Sequence, residues 1–280
     1  MNKALLILIP LCTMAMTTVA QIFDGAPTLK DDNLKGPVHI VQTMATFDAG
    51  PENGYAFSQV VTDVYDTAGR LTCHINSSSD GLDDIHTFEY DQWGRLAKVS
   101  SLTREVYTDT YHYNAAGQLE SIEQRWTEDF EMFNHTLHVV KRDNAGRALL
   151  VESSGDQEGT FDNFSIERHG DCEIVTEILI MHGDTINVRH TYYNSHGTID
   201  SVVDRRDKTI YKYNANGDII ECRNSGTPDY PKGRVTIYSY GEESRRDIYG
   251  NWTIRDIVYP DGSKDFERRT IIYNEEIRDR

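Results

Sequence analysis

A short motif, Tyr-(Asp or Asn)-x-x-Gly, recurs five times and constrains the fold of this chain more than any other feature. Its copies end at Gly69, Gly94, Gly117, Gly197 and Gly217. Composition alone predicts roughly 0.2 such matches, so the motif is an internal repeat. Weaker copies that keep the glycine and lack the tyrosine end at Gly146, Gly170 and Gly250. Successive glycines lie 20 to 33 residues apart, which is the length of one two-stranded unit with its connections.

The repeat has the chemistry of a tight hairpin turn. An Asp or Asn side chain bonds to backbone two residues on, and a glycine three positions later takes a positive φ that other residues resist. The eight glycines are therefore predicted to be structural turn residues. A type I turn followed by a left-handed glycine is the hairpin connection with a G1 bulge.

Apolar and aromatic residues flank each turn with the periodicity of strands. Aromatic side chains precede the glycine by four and six positions, as at Tyr111 and Tyr113 before Gly117. A column two positions after the glycine, such as Leu96, should meet these rings across the hairpin. A second column five positions after it, such as Val99, breaks parity with the first. A bulge in the returning strand reconciles the two columns, and burial of both faces is the alternative.

These patterns predict an all-β fold, an antiparallel meander of hairpin repeats that forms one twisted, curled sheet. Residues 38–273 would supply about eighteen strands. Residues 21–37 would form an extended leader and residues 274–280 a frayed C-terminal tail. Gly36 to Phe47 is expected to cap one end of the sheet and Arg268 to Tyr273 the other.

The first 20 residues have the layout of a cleavable secretory signal peptide. A lone Lys3 precedes an apolar run, and small residues end at Ala20, after which we expect cleavage. A retained N-terminal anchor is the alternative. The mature chain is therefore predicted to be secreted, periplasmic or at the cell surface, with no stable membrane insertion after signal removal.

The chain is acidic, with a formal net charge of −17 at pH 7. Such a charge repels nucleic-acid phosphates and anionic lipid, so nucleic acid is excluded as a partner. The acid excess is spread along the chain, which is typical of a solvated surface that keeps sheets from sticking edge to edge.

Three cysteines follow the signal segment, Cys73, Cys172 and Cys222, which is an odd number for an exported protein. We expect free, mostly buried thiols. A bridge between Cys73 and Cys172 would require the sheet to curl almost shut.

Candidate catalytic and metal-binding groups have simpler explanations. His135 and His138 are three residues apart, which on a strand places the rings on opposite faces. The segment Asn214 to Glu221 has the alternating oxygen donors of a calcium loop, but it coincides with a repeat turn. The carboxylates at 128, 129 and 131 are neighbours that an acidic composition supplies by chance. No catalytic residue, metal or cofactor is predicted.

The aromatic residues are the better candidates for a binding surface. Rings on one concave face would stack on sugars or peptides while hydroxyls supply polar contacts. The alternative is packing, since tyrosine suits a half-exposed pleated surface. Trp252 lies in the core column and is expected to pack. The predicted binding residues are Tyr90, Trp93, Tyr113, Trp126, Tyr193 and Tyr213.

The repeat as it stands at Tyr65-Asp66-Thr-Ala-Gly69-Arg70-Leu71, and again from Tyr90 to Leu96, resembles the YD repeat of the Rhs and teneurin-like families. The resemblance covers most of residues 60 to 225. It implies hairpins joined into a curling ribbon of sheet and a scaffold or adhesive role. The chain has too few repeats to enclose a toxin domain, so that function is not implied.

The resulting hypothesis is an exported, non-catalytic repeat protein that binds a peptide, a glycan or another envelope component through a sheet face or variable loops. One alternative is a structural scaffold in a cell-envelope assembly, with a strand edge that pairs with a partner. Another is a hydrolase of extracellular polysaccharide.

Overall fold

The structure is a computed structural model, and it describes residues 28–29, 32–47, 57–79, 83–102, 107–128, 131–155, 160–181, 184–204, 207–225, 233–241 and 245–274. The predicted signal segment lies outside these residues. The described part folds into eighteen strands. They are β1 Val38–Phe47, β2 Phe57–Tyr65, β3 Leu71–Ser78, β4 Asp83–Tyr90, β5 Leu96–Ser101, β6 Tyr107–Tyr113, β7 Leu119–Glu128, β8 Glu131–Arg142, β9 Ala148–Gly155, β10 Thr160–His169, β11 Cys172–Met181, β12 Asp184–Tyr193, β13 Ile199–Asp204, β14 Asp207–Tyr213, β15 Ile219–Asn224, β16 Arg234–Ser239, β17 Ile254–Val258 and β18 Lys264–Tyr273.

The strands form a closed antiparallel barrel. Each strand pairs with its neighbours in sequence, and β1 also pairs with β18, from Val38 opposite Tyr273 to Thr46 opposite Phe266. The predicted antiparallel meander is confirmed, but the prediction of an open curled sheet is wrong. The segments Gly36 to Phe47 and Arg268 to Tyr273, expected at opposite ends, are hydrogen-bonded to each other. Closure satisfies the backbone groups that two free edge strands would leave unpaired.

Alternating connections give the barrel two different ends. The turn end carries the repeat turns, together with the first residue of β1 and the last residue of β18. The loop end carries the connections of varied length, most of which fall outside the described residues. Among the described residues at the loop end, Tyr259 to Ser263 forms a tight turn, in which the Tyr259 N–H donates to the Ser263 carbonyl at 2.9 Å.

The Asp or Asn side chain organises each repeat turn. In the first turn the Asp66 Oδ1 atom accepts hydrogen bonds from the backbone N–H groups of Ala68 and Arg70, at 2.9 and 3.0 Å. Gly69 follows at a φ of 77° and donates to the Asp66 carbonyl at 3.0 Å. All eight predicted turn glycines have a positive φ. Gly170 differs from the rest, because it and Asp171 form a two-residue connection between His169 and Cys172, which pair directly.

A bulge follows the turn, as the two apolar columns predict. Tyr65 lies opposite Leu71 whereas Val64 lies opposite Cys73, so the register skips Thr72. The same shift occurs in the four hairpins that join Tyr90 to Leu96, Tyr113 to Leu119, Tyr193 to Ile199 and Tyr213 to Ile219. The bulge brings both columns onto one face.

Hydrogen bonds from the repeat tyrosines tie each hairpin to the one before it. The Tyr113 hydroxyl donates to the carbonyl of Leu96, at the start of β5, at 2.7 Å. Strands β5 and β6 are not paired at this position, so the hydroxyl satisfies a carbonyl that the ladder leaves free. We call this contact the latch. Equivalent latches join Tyr90 to Leu71, Tyr213 to Ile199 and Tyr240 to Ile219, and the guanidinium groups of Arg142 and Arg168 replace the hydroxyl at Leu119 and Ala148.

The arginine after the turn glycine adds a second contact between neighbouring repeats. The Arg70 guanidinium lies 4.5 Å from the centre of the Tyr90 ring, and that of Arg95 lies 4.1 Å from the centre of the Tyr113 ring. Each arginine also pairs with the aspartate of its own turn, Arg70 with Asp66 and Arg95 with Asp91. The cation is therefore held between two consecutive repeats.

Buried side chains lie on one face of the sheet, which we call the inner face because the closed sheet turns it toward the interior. The largest cluster runs across β5 to β12. Its members are Leu96, Val99, Tyr111, Leu119, Ile122, Leu137, Ala148, Val151, Phe164, Ile166, Val175 and Tyr193. Their positions place most of this core in the half of the barrel nearest the turn end.

The leader packs across the turn end. The Leu29 N–H donates to the Gly69 carbonyl at 3.0 Å, and the Asn33 side chain donates to the Asn216 carbonyl at 2.9 Å. The Lys35 N–H then donates to the Asn251 side chain at 2.8 Å. These partners belong to the turns β2–β3, β14–β15 and β16–β17, and the last two turns are consecutive on the rim. The described residues of the leader therefore contact the rim at these turns, and residues 21–27 and 30–31 of the predicted leader lie outside the described part.

A buried ion pair and the Trp252 ring lie in the interior beside the leader. Arg255 and Glu267 are 4 % and 5 % exposed and are 2.6 Å apart. The Arg255 guanidinium lies over the Trp252 ring at 4.6 Å, and that of Arg269 lies over the same ring at 3.7 Å. Trp252 packs, as predicted, and is 4 % exposed. Removing either partner of the ion pair would leave a buried charge uncompensated.

The three cysteines are free. Cys222 is buried and Cys73 half-buried, but Cys172 is exposed, which differs from the expectation of mostly buried thiols. The cause is the short Gly170 turn, which has no bulge and so leaves Cys172 on the face opposite Val175. In the part of the chain that the structure describes, no helix is long and apolar enough to cross a bilayer.

Gly94→Val is expected to destabilise the protein by more than about 1 kcal/mol, because a β-branched residue resists the φ of 83° at this position. A Cβ atom there would also lie 2.7 Å from the Arg70 guanidinium. Urea denaturation followed by circular dichroism measures the change. An unaltered midpoint would contradict the turn.

Tyr113→Phe removes one latch and leaves the ring, so it should cost about 1 to 2 kcal/mol, since the Leu96 carbonyl loses its donor. Tyr113→Ala should cost about 2 to 4 kcal/mol, because a cavity is added. Tyr192→Phe is the matched control, on the outer face of β12 beside His190. Equal denaturation midpoints for Tyr113→Phe and Tyr192→Phe would show that the latch contributes nothing.

Candidate functional site

The inner face of β6, β7 and β8 changes character between the two ends of the barrel. Nearest the turn end, a buried rung of Tyr111, Ile122 and Leu137 forms an apolar floor. Toward the loop end the next rung is polar and the one after it is aromatic. We call these two rungs the inner-face array, and its residues are Asp109, Gln124 and His135, then Tyr107, Trp126 and Phe133.

The aromatic rung is a stacked wall. Trp126 lies directly opposite both Tyr107 and Phe133 in the strand register. Its ring stacks on that of Phe133 with centroids 5.5 Å apart, and the His135 ring meets it edge-on at 4.8 Å. All four side chains are half-buried, so each keeps surface accessible from the interior.

A chain of hydrogen bonds links the polar rung. The His135 Nε2 atom lies 2.7 Å from the Gln124 Oε1 atom, and since an amide oxygen only accepts, Nε2 carries the proton. The Gln124 amide then donates to Asp109 at 3.3 Å. Burial lowers the pKa of His135, which keeps its ring neutral. Burial raises the pKa of Asp109 to about 6, because a single amide donor does not offset the loss of water around the carboxylate.

Two histidine–carboxylate pairs continue the polar lining onto β2, β3 and β4. His74 Nδ1 lies 2.6 Å from Asp63, and although burial opposes its charge, the Asp63 carboxylate outweighs burial and raises the pKa of His74. His86 Nε2 lies 2.9 Å from Asp84. The other ring nitrogen of His86 therefore accepts from the Tyr107 hydroxyl, at 2.7 Å. This contact connects the two pairs to the inner-face array.

Asp109 differs from the other acids that are buried or half-buried on the inner face. Glu177 and Asp204 pair with Arg189 at 3.2 and 3.6 Å, and five others have a basic partner within 3 Å. The pairs are Asp63 with His74, Asp84 with His86, Glu173 with Arg168, Asp218 with Arg246 and Glu267 with Arg255. Within the described part of the chain, Asp109 has a neutral amide instead. Its carboxylate therefore has no basic side chain as a hydrogen-bond partner among these residues.

A small concavity lies on the inner face of β11 and β12. It has a volume of about 110 Å³ and is lined by Glu177, Leu179, Asn187 and Arg189. Arg189 pairs with Glu177 at 3.2 Å and with Asp204 at 3.6 Å. The charges there are already paired, and the volume holds only a few water molecules.

The predicted binding residues do not form one surface. Tyr90, Tyr113 and Tyr213 have their hydroxyl groups engaged in latches, and Tyr193 is buried in the core. Trp93 lies at a repeat turn, 70 % exposed, against the Arg95 guanidinium. Trp126 alone among the six belongs to the inner-face array, so the structure brings it together with residues that the sequence did not single out.

The candidate metal groups are separated or engaged. His135 faces inward, whereas His138 faces outward and contacts the Ser154 hydroxyl at 3.0 Å, so the two lie on opposite faces as predicted. The Asn214 side chain accepts from the N–H groups of Asn216 and Asp218 within its turn. The carboxylates at 128, 129 and 131 lie outside the described side chains. No group of three or more metal-ligating residues occurs among those that the structure describes.

Asp109 was missed because its strand was interpreted only through its tyrosines. The sequence Tyr107-Thr-Asp109-Thr-Tyr111-His-Tyr113 alternates strictly, so Asp109 must share a face with three rings that are expected to be inside. An acid at an inward position among aromatic residues is the signal that was available. Its partners Gln124 and His135 follow from the register, which the sequence does not specify.

Comparisons with known proteins leave the family open. No protein-family model matches the chain, and no curated protein sequence matches it significantly. Among solved structures, the barrel is similar to a porin-like protein from Bacteroides uniformis, with a TM-score of 0.45 and 12 % identity over 85 % of this chain and 98 % of that one. It is also similar to part of a TcdB2-TccC3-Cdc42 complex, with a TM-score of 0.19 and 12 % identity over 81 % of this chain.

A third match is a Photorhabdus luminescens Tc holotoxin pore, with a TM-score of 0.18 and 10 % identity over 76 % of this chain. The chain spans only 19 % and 20 % of the two toxin chains. At these scores the matches assign neither family nor activity. The resemblance to YD repeats therefore stays a prediction, although the turn geometry is present.

Asp109→Asn should stabilise the protein at neutral pH. The folded-state pKa of about 6 lies above the ordinary value of 3.8, so ionisation costs the wild type stability as pH rises through this interval. The variant should be more stable by about 1 to 3 kcal/mol at pH 7.5, and the gain should vanish below pH 4. Urea denaturation at a series of pH values measures it. A variant equally destabilised at every pH would contradict the assignment of Asp109.

Proposed function

We propose that this chain is an exported, non-catalytic binding protein whose ligand enters the barrel from the loop end and lies against the inner-face array. The single observation that carries the proposal is the placement of an aromatic wall and a polar rung directly above an apolar floor. Ligand sites in proteins combine such apolar and aromatic surface with a few fixed polar groups. Peptides, glycans and other envelope components are the ligand classes considered.

The leader supports entry from the loop end. It bridges the turn end through Gly69, Asn216 and Asn251, and the packed Trp252, Arg255 and Glu267 lie beside it. The inner-face array lies nearer the loop end than the apolar floor does. A ligand that approaches from the loop end meets the aromatic rung first and the polar rung second.

The polar groups of the array are held in place before a ligand arrives. Gln124 is fixed between Asp109 and His135, and the Tyr107 hydroxyl is fixed by His86. Groups positioned in advance lose little entropy on binding, which favours recognition. They also lie on strands, which hold side chains more rigidly than loops do.

Charged pairs on the outer face support a barrel that is surrounded by water. Lys98 pairs with Glu89 on neighbouring strands, and Lys212 pairs with Glu221 at 3.1 Å. Such ionised side chains are costly in contact with hydrocarbon and ordinary in contact with water. An exported protein without membrane insertion accommodates them.

Closure of the barrel weighs against one form of the scaffold alternative, in which an edge strand pairs with a strand of a partner. That mode needs a free edge strand, and all eighteen described strands have partners on both sides. A scaffold role would have to use the outer surface or the loops.

Trp126→Ala is expected to weaken ligand binding at least tenfold, because it removes the centre of the aromatic wall. Trp93→Ala is the matched control, since Trp93 is an exposed ring at the turn end. Both variants and the wild type are compared on a panel of oligosaccharides and peptides by isothermal titration calorimetry, with circular dichroism to verify folding.

Two results would contradict the proposal. Binding that survives in Trp126→Ala but is lost in Trp93→Ala would place the site at the turn end. Ligands that bind all three proteins equally would place it outside both tryptophans.

A further inference from the structure

We propose that the inner-face array recognises an organic cation, a substituted ammonium group, with Asp109 as its counter-ion and Tyr107 and Trp126 as its aromatic walls. This inference rests on the proposed function and names the chemical class of its ligand. The binding site that it defines consists of Asp109, Gln124, His135, Tyr107, Trp126 and Phe133.

The first argument is the missing charge partner of Asp109. The other buried or half-buried inner-face acids described above have a histidine or arginine partner, whereas Asp109 receives one amide hydrogen bond of 3.3 Å from Gln124. The nearest basic group across β7, His135, is neutral because burial lowers its pKa and its Nε2 proton is donated to Gln124. Among the described residues, Asp109 is therefore an interior carboxylate with no cationic side chain beside it.

The second argument is the geometry of the aromatic rung. Tyr107 is two residues before Asp109 on the same strand face, and Trp126 is opposite Tyr107 on β7. A cation bonded to the carboxylate from the loop side would therefore be next to both rings. Aromatic faces attract cations, and aromatic cages are the usual means of binding quaternary ammonium groups.

The same barrel already holds its own cations in this manner. Arg255 and Arg269 lie over the Trp252 ring at 4.6 and 3.7 Å, beside the Glu267 carboxylate. Each of these internal sites combines a ring, a guanidinium and an acid. Among the described lysines and arginines, none lies over Tyr107 or Trp126. The array therefore has the ring and the acid, and the ligand supplies the cation.

The stability cost of Asp109 supports a functional role. An ionised carboxylate whose pKa is raised to about 6 by burial destabilises the fold at neutral pH, and a neutral residue there would be more favourable. The net charge of −17 also favours a cationic ligand, since it raises the local concentration of cations around the barrel.

Protonation gives the inference a specific pH dependence. Below pH 6 Asp109 becomes neutral and cation binding should weaken, by about tenfold at pH 5. The charged and titratable groups that face it are Tyr107 and Tyr111 on its own strand, His135 beyond β7, and Asp84 and His86 beyond β5. A variant of Asp109 itself assigns the step to this carboxylate.

The test uses choline and its neutral isostere 3,3-dimethylbutan-1-ol, titrated by calorimetry into the full-length mature protein at pH 7.5 and pH 5.0. Choline should bind saturably at pH 7.5, and the isostere at least tenfold more weakly. Asp109→Asn should lose at least tenfold in choline affinity and all of the pH step. Asp204→Asn is the matched control, an inner-face acid that pairs with Arg189, and should leave choline binding unchanged.

Several results would overturn the inference. They are equal affinity for choline and the isostere, unchanged affinity in Asp109→Asn, or no saturable choline binding by the folded wild type at millimolar concentration. If a neutral glycan or peptide nevertheless binds in a Trp126-dependent manner, the proposed function stands and only the ligand class is wrong. If bound choline contacts residues outside the array in nuclear magnetic resonance spectra, both proposals fail.

Discussion

The fold depends on one local interaction. The side-chain oxygen of an Asp or Asn accepts hydrogen bonds from two backbone N–H groups in the repeat turns. In the turn at Asp66 this oxygen fixes the reversal of the chain, and Gly69 completes it with a φ of 77°. The bulge that follows moves both apolar columns to one face, so the turn also determines which side chains are buried. The latch then uses the same stretch of chain to join successive hairpins. The residues that form each turn therefore also determine how the hairpins assemble into the barrel.

The inner face divides between stability and binding. Near the turn end its side chains are apolar and closely packed, and the buried charges are paired, as in Arg255 and Glu267. Toward the loop end the rungs become polar and aromatic, and among the described residues Asp109 has a neutral amide as its hydrogen-bond partner. A barrel of eighteen strands is too wide for side chains alone to fill, so part of its lining must face water or a ligand. The proposed site lies in that part.

Much of this architecture could be predicted from the sequence because the repeat is local. The turns, the bulge and the number of strands follow from residues within about ten positions of each glycine, such as Tyr113, Gly117 and Leu119. Closure could not be predicted, since the pairing of Val38 with Tyr273 joins segments that have no shared local signal. The array was missed for the same reason: Asp109, Gln124 and His135 come from three strands and meet only through register. The repeat tyrosines can be recognised from the sequence as a set. Their role in the latch cannot, because it depends on where the hydrogen bonds between neighbouring strands stop.

The meeting of the first and last strands has a consequence for the order of the repeats. The Asn274 N–H donates to the Pro37 carbonyl at 2.8 Å, so both boundaries of the strand domain occupy the same point on the rim. Because β1 and β18 pair as the other neighbouring strands do, no hairpin is structurally the first. The missing connection between Tyr273 and Val38 lies where another turn of the rim could lie. Circular permutants that link these residues and open at another hairpin would retain every strand pair.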